Sequence, residues 1–279
     1  MSRRASRGLA PRTFAGRARL AAVVVATAAV VALTLWLIAG GARYDDPFGK
    51  FRQRPAGNAL SVGAAPDRGR DLERFLTFVV NDVQGFWARE FQNAGLDYVP
   101  AQVLAFAGPA RSPCGPASAQ TGPFYCLLDN RIYLDVGFFR VLAGQFRAPG
   151  DFAQAYVLAH EVGHHVQALL GVMAQAQEFI REGAAPPNVV SIAQELQADC
   201  LAGVWAHSTY DRGLLERGDV EEALRAAAAV GDDRIQRRVQ GRVNPETWTH
   251  GSAEQRREWL ARGFAEGTPL ACDTFSRIL

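Results

Sequence analysis

Apolar residues recur at helical spacing in three long stretches of this chain. Residues 71–93 carry them at intervals of three and four, which predicts an amphipathic helix. Residues 152–170 are apolar on nearly every side, a pattern typical of a helix that is buried all round. Residues 189–206 form a third predicted helix, whose apolar face also carries the acids Glu195 and Asp199. Buried acids need partners, so this face is a candidate for chemistry.

Three shorter stretches are predicted to be strands. They cover residues 102–107, 124–128 and 131–136, which combine β-branched, aromatic and other apolar residues. Residues 129–130, Asp-Asn, separate the last two stretches and predict a hairpin. A small sheet followed by a mostly helical body is typical of an α+β fold.

The N-terminus has the pattern of a membrane anchor. Residues 1–19 carry six Arg and no acid, and residues 20–40 form an uncharged, apolar run of 21 residues. About 20 helical residues span a bilayer core, and Arg-rich flanks remain in the cytoplasm. We therefore predict a single-pass cell-membrane protein that contacts lipid through residues 20–40, with a cytoplasmic N-terminus and an extracytoplasmic domain. Residues 39–42 are small, which leaves secretion after signal-peptide cleavage as the alternative.

The remaining chain divides into a linker and one domain. Residues 41–70 contain several Gly and Pro and little apolar periodicity, which predicts a flexible linker. Residues 71–279 suffice for one well-packed domain. Without the six N-terminal Arg, 24 basic residues stand against 28 acids, a formal charge of −4. The basic balance of the whole chain thus reflects membrane topology, and we expect no nucleic-acid partner.

His160, Glu161 and His164 lie in the predicted buried helix in the order His-Glu-x-x-His. Residues four apart project from the same side of a helix, so the two imidazoles can share one metal ion with Glu161 beside them. Zinc held in this way activates a water molecule, and a neighbouring carboxylate takes its proton. The spacing therefore predicts a hydrolytic zinc site with Glu161 as the general base. The alternative is a core helix whose histidines only hydrogen-bond to neighbours.

A catalytic zinc site usually has three protein ligands, so one more is needed downstream. Glu178 and Glu182 follow closely, but they lie in a polar stretch typical of solvated helix surface. Glu195 is the better candidate because it lies on an apolar helix face. Asp199, one turn later, is then predicted to accept a hydrogen bond from the outer N–H of a liganding histidine. A buried ion pair between Asp199 and an Arg is the alternative.

Several segments together resemble the bacterial family of putative neutral zinc metallopeptidases. The segments are 160–167 (HEVGHHVQ), 195–200 (ELQADC), 202–205 (AGVW), 249–252 (THGS) and 254–256 (EQR), with shorter ones at 114–115, 124–126, 132–135 and 271–275. The resemblance implies a membrane-tethered, zincin-like domain of the gluzincin type, with His160, His164 and Glu195 as ligands of one zinc ion per chain. Glu161 is then the base. It also implies an edge strand beside the active-site helix, suited to an extended peptide substrate.

All four cysteines follow the apolar run, in what is predicted to be an oxidising compartment. Four cysteines allow three pairings, and we expect Cys114 to pair with Cys126 and Cys200 with Cys272. The first pair closes a loop that contains Gly and Pro, and the second ties the C-terminal tail to the helix that carries Glu195. Free, buried thiols are the alternative.

His250 is a candidate for a second catalytic group. It precedes Gly251 and a further predicted helix, and we expect it to stabilise the negative charge that develops on a substrate carbonyl oxygen. An ordinary loop or capping histidine is the alternative, and His207 and Tyr133 are weaker candidates for the catalytic role.

The pattern as a whole favours a zinc-dependent peptidase that acts on a peptide or protein. Two other functions remain open. One is a membrane-anchored scaffold or binding protein that holds zinc without peptidase activity. The other is a hydrolase of a non-protein amide such as a cell-wall peptide, because the zinc chemistry would be the same.

Overall fold

Helices form most of the fold, and the three stretches of apolar periodicity are each helical where the structure describes them. The structure, a computed structural model, describes Phe48 and residues 72–278, which belong to one compact unit of the chain. The helices are α1 (Leu72–Asn93), α2 (Phe138–Gly144), α3 (Asp151–Leu169), α4 (Val172–Arg181), α5 (Pro187–Asp211), α6 (Asp219–Ala229), α7 (Asp232–Gln240), α8 (Ala253–Glu266) and α9 (Phe275–Ile278). Short 3₁₀ helices at Pro245–Thr247 and Pro269–Cys272 precede and follow α8.

The strands form two small sheets. They are β1 (Gln102–Phe106), β2 (Ala110–Ser112), β3 (Gly115–Ala117), β4 (Phe124–Cys126) and β5 (Arg131–Asp135). In the larger sheet β5 is central, with β1 parallel on one side and β4 antiparallel on the other. Asn130 has a φ of 56° in the tight β4–β5 connection, and the predicted hairpin is confirmed. The β2–β3 hairpin was not predicted, because three-residue strands with Gly115 and Pro116 show no alternation. The α+β class is confirmed.

The predicted core helix is the centre of the fold. α3 is buried along nearly its whole length and packs against α1, α5 and α6. α5 extends beyond the predicted residues 189–206 at both ends. Its last turn is polar, so apolar periodicity gave no signal there. Ser208 and Thr209 continue the helix while their hydroxyls donate to carbonyls three residues earlier.

Helices α5 and α8 touch backbone to backbone at two glycines. A Cβ atom added at Gly263 would overlap the carbonyl oxygen of Cys200, and it would lie 2.8 Å from that carbonyl carbon and 3.0 Å from Val204 N. One added at Gly203 would overlap the carbonyl oxygen of Leu260. Only glycine permits this separation, which brings α8 directly against the helix that carries the third candidate ligand.

A buried ion pair joins α1 to Arg212, the residue that caps the C-terminus of α5. Asp82 of α1 accepts from Arg212 Nη1 at 2.5 Å and Nη2 at 2.7 Å, and from Trp205 Nε1 at 2.9 Å. Both side chains of the ion pair are less than a tenth exposed. The pairing of the cysteines is confirmed as well, since Cys114–Cys126 and Cys200–Cys272 form disulfides.

The predicted anchor, residues 20–40, and the Arg-rich residues 1–19 lie outside the described residues. Within the described part of the chain, no helix combines the length and apolar character that crossing a membrane requires. From the predicted linker, residues 41–70, the structure describes Phe48 alone, and this side chain is fully buried in the hydrophobic core.

Candidate metal centre

The two histidines of the motif project from α3 towards Glu195 of α5. Glu195 Oε2 lies 3.2 Å from His160 Nε2, and Oε1 lies 3.4 Å from His164 Nε2. Zinc bonds of about 2.0–2.1 Å in a tetrahedron separate neighbouring donor atoms by about 3.3 Å. The three side chains each offer a donor atom, and these atoms lie within 4.8 Å of one another. Donor type, count and spacing therefore all fit zinc.

Glu161 lies between the two histidines in sequence and is buried beside them. Its Oε2 atom is buried and has no hydrogen-bond partner among the described residues. The backbone N–H of Tyr125 on β4 interacts with the same carboxylate. Burial raises the pKa of Glu161, although the nearby His160 and His164 oppose the shift. A carboxylate with a raised pKa and an unpaired oxygen is suited to accept a proton.

Asp199 is fully buried and bonds to both partners that the sequence left as alternatives. Its Oδ1 lies 2.9 Å from His160 Nδ1, and Arg256 of α8 donates to Oδ1 and Oδ2 at 2.9 and 2.8 Å. Burial alone would raise the pKa of Asp199, but Arg256 and then His160 outweigh it and hold the pKa at about 2. Asp199 is thus a permanent anion that accepts the outer N–H of His160.

Arg256 and Tyr156 complete this cluster, and the sequence assigned neither a role. Arg256 Nη2 lies 3.2 Å from the Tyr156 hydroxyl and 3.9 Å from Glu195 Oε2, while that hydroxyl donates to Asp199 Oδ1 at 2.5 Å. Tyr156 precedes His160 by one helical turn, so the sequence spacing could have predicted that both lie on the same face of α3. Arg256 is 57 residues from Asp199, and no local pattern connects them.

His250 lines the same cleft from the loop before α8. Asp232, at the start of α7, holds this loop, since its Oδ2 accepts the backbone N–H groups of Thr249, His250 and Gly251 at 2.7, 2.6 and 3.1 Å. Its Oδ1 lies 3.2 Å from His250 Nδ1. Burial lowers the pKa of His250, but the hydrogen bond to Asp232 and the charge of Glu195 outweigh it, so the pKa is raised.

The other two candidates for the second catalytic group do not reach the cleft. The hydroxyl of Tyr133 donates to Asp129 at 2.7 Å, and His207 Nδ1 donates to the backbone oxygen of Phe264 at 2.7 Å. Neither is among the residues that line the cleft, whereas His250 is.

The cleft has a volume of about 450 Å³ and holds the candidate ligands, Glu161, His250 and Arg256. Phe124 and Tyr125 of the edge strand β4 line it beside α3. Phe138, Val157 and Ile235 add apolar surface. An apolar cleft with a few convergent polar groups is the usual form of a small-molecule or peptide site.

Comparison with known proteins identifies similar sequences. The family model described as "Putative neutral zinc metallopeptidase" matches residues 2–275, which include every residue of the candidate centre. "Uncharacterized protein YpfJ" of Escherichia coli (strain K12) is 40% identical over 233 residues, 83% of this chain and 81% of the relative. "Uncharacterized protein Rv2575" of Mycobacterium tuberculosis (strain ATCC 25618 / H37Rv) is 45% identical over 251 residues, 83% of each chain. No solved structure matches the chain.

Proposed function

The chain belongs to the family of putative neutral zinc metallopeptidases, and on that premise we propose that it is a membrane-anchored peptidase. One observation carries the proposal. The donor atoms of His160, His164 and Glu195 converge at the edge lengths of a zinc tetrahedron, with the buried carboxylate of Glu161 next to them. A structural zinc site would need no such unpaired carboxylate.

Each side chain has a defined task in peptide hydrolysis. Zinc, when bound, polarises the scissile carbonyl and lowers the pKa of water to about 7. Glu161 accepts the proton of the attacking water and returns it to the leaving amine nitrogen. His250 donates to the carbonyl oxygen as it becomes negative, because its raised pKa favours the form with an N–H on both ring nitrogens. Asp232 orients that ring.

The substrate is proposed to be an extended peptide that lies along β4. This strand is at the edge of its sheet, so its outer side faces no other strand within the described part of the chain, although the Tyr125 N–H there already interacts with Glu161. Phe124 and Tyr125 of β4 line the cleft beside Glu161. Backbone hydrogen bonds to the strand would hold the peptide, and the apolar cleft would select its side chains.

The proposed location follows from the N-terminal sequence. Residues 20–40 are long and apolar enough to span a bilayer core, and the Arg-rich residues before them favour a cytoplasmic N-terminus. The centre would then act on substrates outside the cytoplasm. The two disulfides agree with an oxidising compartment.

The test measures zinc content and peptide cleavage of the full-length chain together. We expect about one zinc per chain by plasma mass spectrometry and cleavage of a quenched-fluorescence peptide library. Glu161→Gln should retain the zinc and lose about 10²–10⁴-fold in kcat, because only the base is removed. Glu195→Ala should lose the zinc.

Glu178→Gln is the matched control, since Glu178 is an exposed residue of α4 outside the cleft. Zinc with equal cleavage by the parent and Glu161→Gln would refute the assignment of the base. Zinc without cleavage of any peptide, including cell-wall peptides, would favour a zinc-binding scaffold instead.

A further inference from the structure

A chain of hydrogen bonds leads from His164 to the C-terminal tail through two buried glutamines. His164 Nδ1 lies 2.9 Å from Gln167 Oε1. Gln167 Nε2 donates to the backbone oxygen of Gln194 at 2.8 Å and to Gln197 Oε1 at 3.0 Å. Gln197 Nε2 donates to the backbone oxygen of Cys272 at 3.0 Å. We call Gln167 and Gln197 the glutamine relay.

Two backbone carbonyls fix the direction of every bond in the relay. A carbonyl oxygen only accepts, so Cys272 requires the NH₂ group of Gln197, which turns Gln197 Oε1 towards Gln167. Gln194 likewise requires the NH₂ group of Gln167, which turns Gln167 Oε1 towards His164. His164 must therefore donate from Nδ1, and its Nε2 lone pair is left facing Glu195.

The relay lies where apolar side chains would serve packing better. Gln167 and Gln197 are both fully buried, on facing sides of α3 and α5. Burying an amide costs free energy unless its groups are hydrogen-bonded, and a well-packed leucine has no such requirement. Two adjacent, hydrogen-bonded amides that end on a ligand histidine thus indicate a role in orienting that histidine.

We infer that Gln167 and Gln197 are positioning residues that set the tautomer and ring orientation of His164 for metal binding. The inference rests on the proposed zinc site. The relay ends at the backbone oxygen of Cys272, and this residue is itself fixed because it is disulfide-bonded to Cys200 of α5. The C-terminal tail is in this way part of the metal centre although it contributes no ligand.

The two histidines are oriented by different chemistry. His160 bonds to an anion, Asp199, whereas His164 bonds to a neutral amide. A second buried carboxylate here would add negative charge to a cluster that already contains Glu161, Glu195 and Asp199. A neutral relay fixes the tautomer without that charge.

Two measurements on the full-length chain test the inference. The first is the zinc dissociation constant by chelator competition. Gln167→Met should weaken binding by about 10–100-fold, the usual effect of removing an outer partner of a metal ligand. Gln197→Met should weaken it less, since Gln167 keeps its bond to Gln194. The double variant should bind no more weakly than Gln167→Met alone, because Gln197 acts through Gln167.

The second measurement needs no metal. In zinc-free protein at alkaline pH, ¹⁵N NMR of the five histidines should show His164 with its proton on Nδ1. In Gln167→Met the proton should redistribute to Nε2. Gln236→Met is the matched control, because Gln236 is a buried glutamine of α7 whose partners are Thr247, Asn244 and Trp248. It should change neither quantity.

The outcomes separate this inference from the proposed function. The positioning role is overturned if the parent and Gln167→Met bind zinc equally well and the tautomer of His164 is the same in both. That result leaves the peptidase proposal intact. Additive effects of the two substitutions would overturn the role of Gln197. A folded parent that binds no zinc would overturn the proposed function, and the positioning role with it.

Discussion

Replacing one glycine that does not line the cleft tests whether close helix packing holds the metal centre together. Gly263→Ala puts a methyl group where it would overlap the carbonyl oxygen of Cys200 and lie 2.8 Å from the carbonyl carbon. Real Cβ atoms do not approach other atoms this closely, so α8 must move away from α5. Arg256 lies two turns earlier on the same face of α8, and it must move with the helix.

The size of the effect follows from the bonds that this movement stretches. Arg256 holds Asp199 through hydrogen bonds of 2.8 and 2.9 Å, and a shift of about 1 Å takes them beyond useful length. Overpacking alone costs about 1–3 kcal/mol. Breaking a buried ion pair costs about 3–5 kcal/mol. We therefore expect Gly263→Ala to lose about 3 kcal/mol or more of unfolding free energy and to weaken zinc binding as well.

The assay is urea unfolding at neutral pH, with zinc affinity measured on the folded fraction. Gly85→Ala is the matched control, since Gly85 is inside α1 and the nearest atom to its added methyl is Arg89 Nη1 at 3.6 Å. That change should stabilise the protein by about 0.5–1 kcal/mol, because alanine is the better helix former. If Gly263→Ala also proves neutral or stabilising, the backbone contact does not constrain the site.

Three further results are expected. The folded pKa of Asp199, about 2, lies below its ordinary value of 3.8, so the ionised side chain stabilises the protein above about pH 4, and this stabilisation is lost as pH falls through 2. Asp199→Asn should therefore lower the unfolding free energy in urea at pH 7 but match the parent near pH 2. Asp232→Asn removes an anion that raises the pKa of His250, so the alkaline limb of the pH–rate profile should move to lower pH, and an unchanged limb would exclude His250 as the donor. Asp82→Ala leaves the buried Arg212 without its anionic partner and should lower the unfolding free energy by about 3–5 kcal/mol, with zinc content unchanged.

The parts of the site that lie close together in sequence were predictable. His160, Glu161 and His164 share one helix, so their spacing alone specifies their common face. Glu195 and Asp199 were found because acids on an apolar helix face conflict with burial unless they have partners. The structure brings these five together: four of them line one cleft, and Asp199 is buried behind it against His160.

The parts that depend on contacts between distant segments were not predictable. Arg256 reaches Asp199 across 57 residues, and Gln197 reaches Cys272 across 75. A glutamine or an arginine in a helix is ordinarily solvated, so neither residue type signals burial. The β2–β3 hairpin was not predicted for another reason. Its three-residue strands are too short to show alternation, although Ala110 and Ala117 pack in a small apolar cluster and Cys114 in the turn is disulfide-bonded to Cys126 of β4.

The bonding of His160 makes metal uptake an exchange of ions. Between Asp199 and Glu195 this imidazole is held against two anions, and although burial lowers its pKa, they outweigh burial and raise the pKa to about 10 in the zinc-free protein. Zinc binds the neutral imidazole, so it must compete with the proton that these two anions favour. The apparent affinity for zinc should therefore rise as the pH rises. Acidification should weaken zinc binding, which links the metal content of the centre to the pH around the protein.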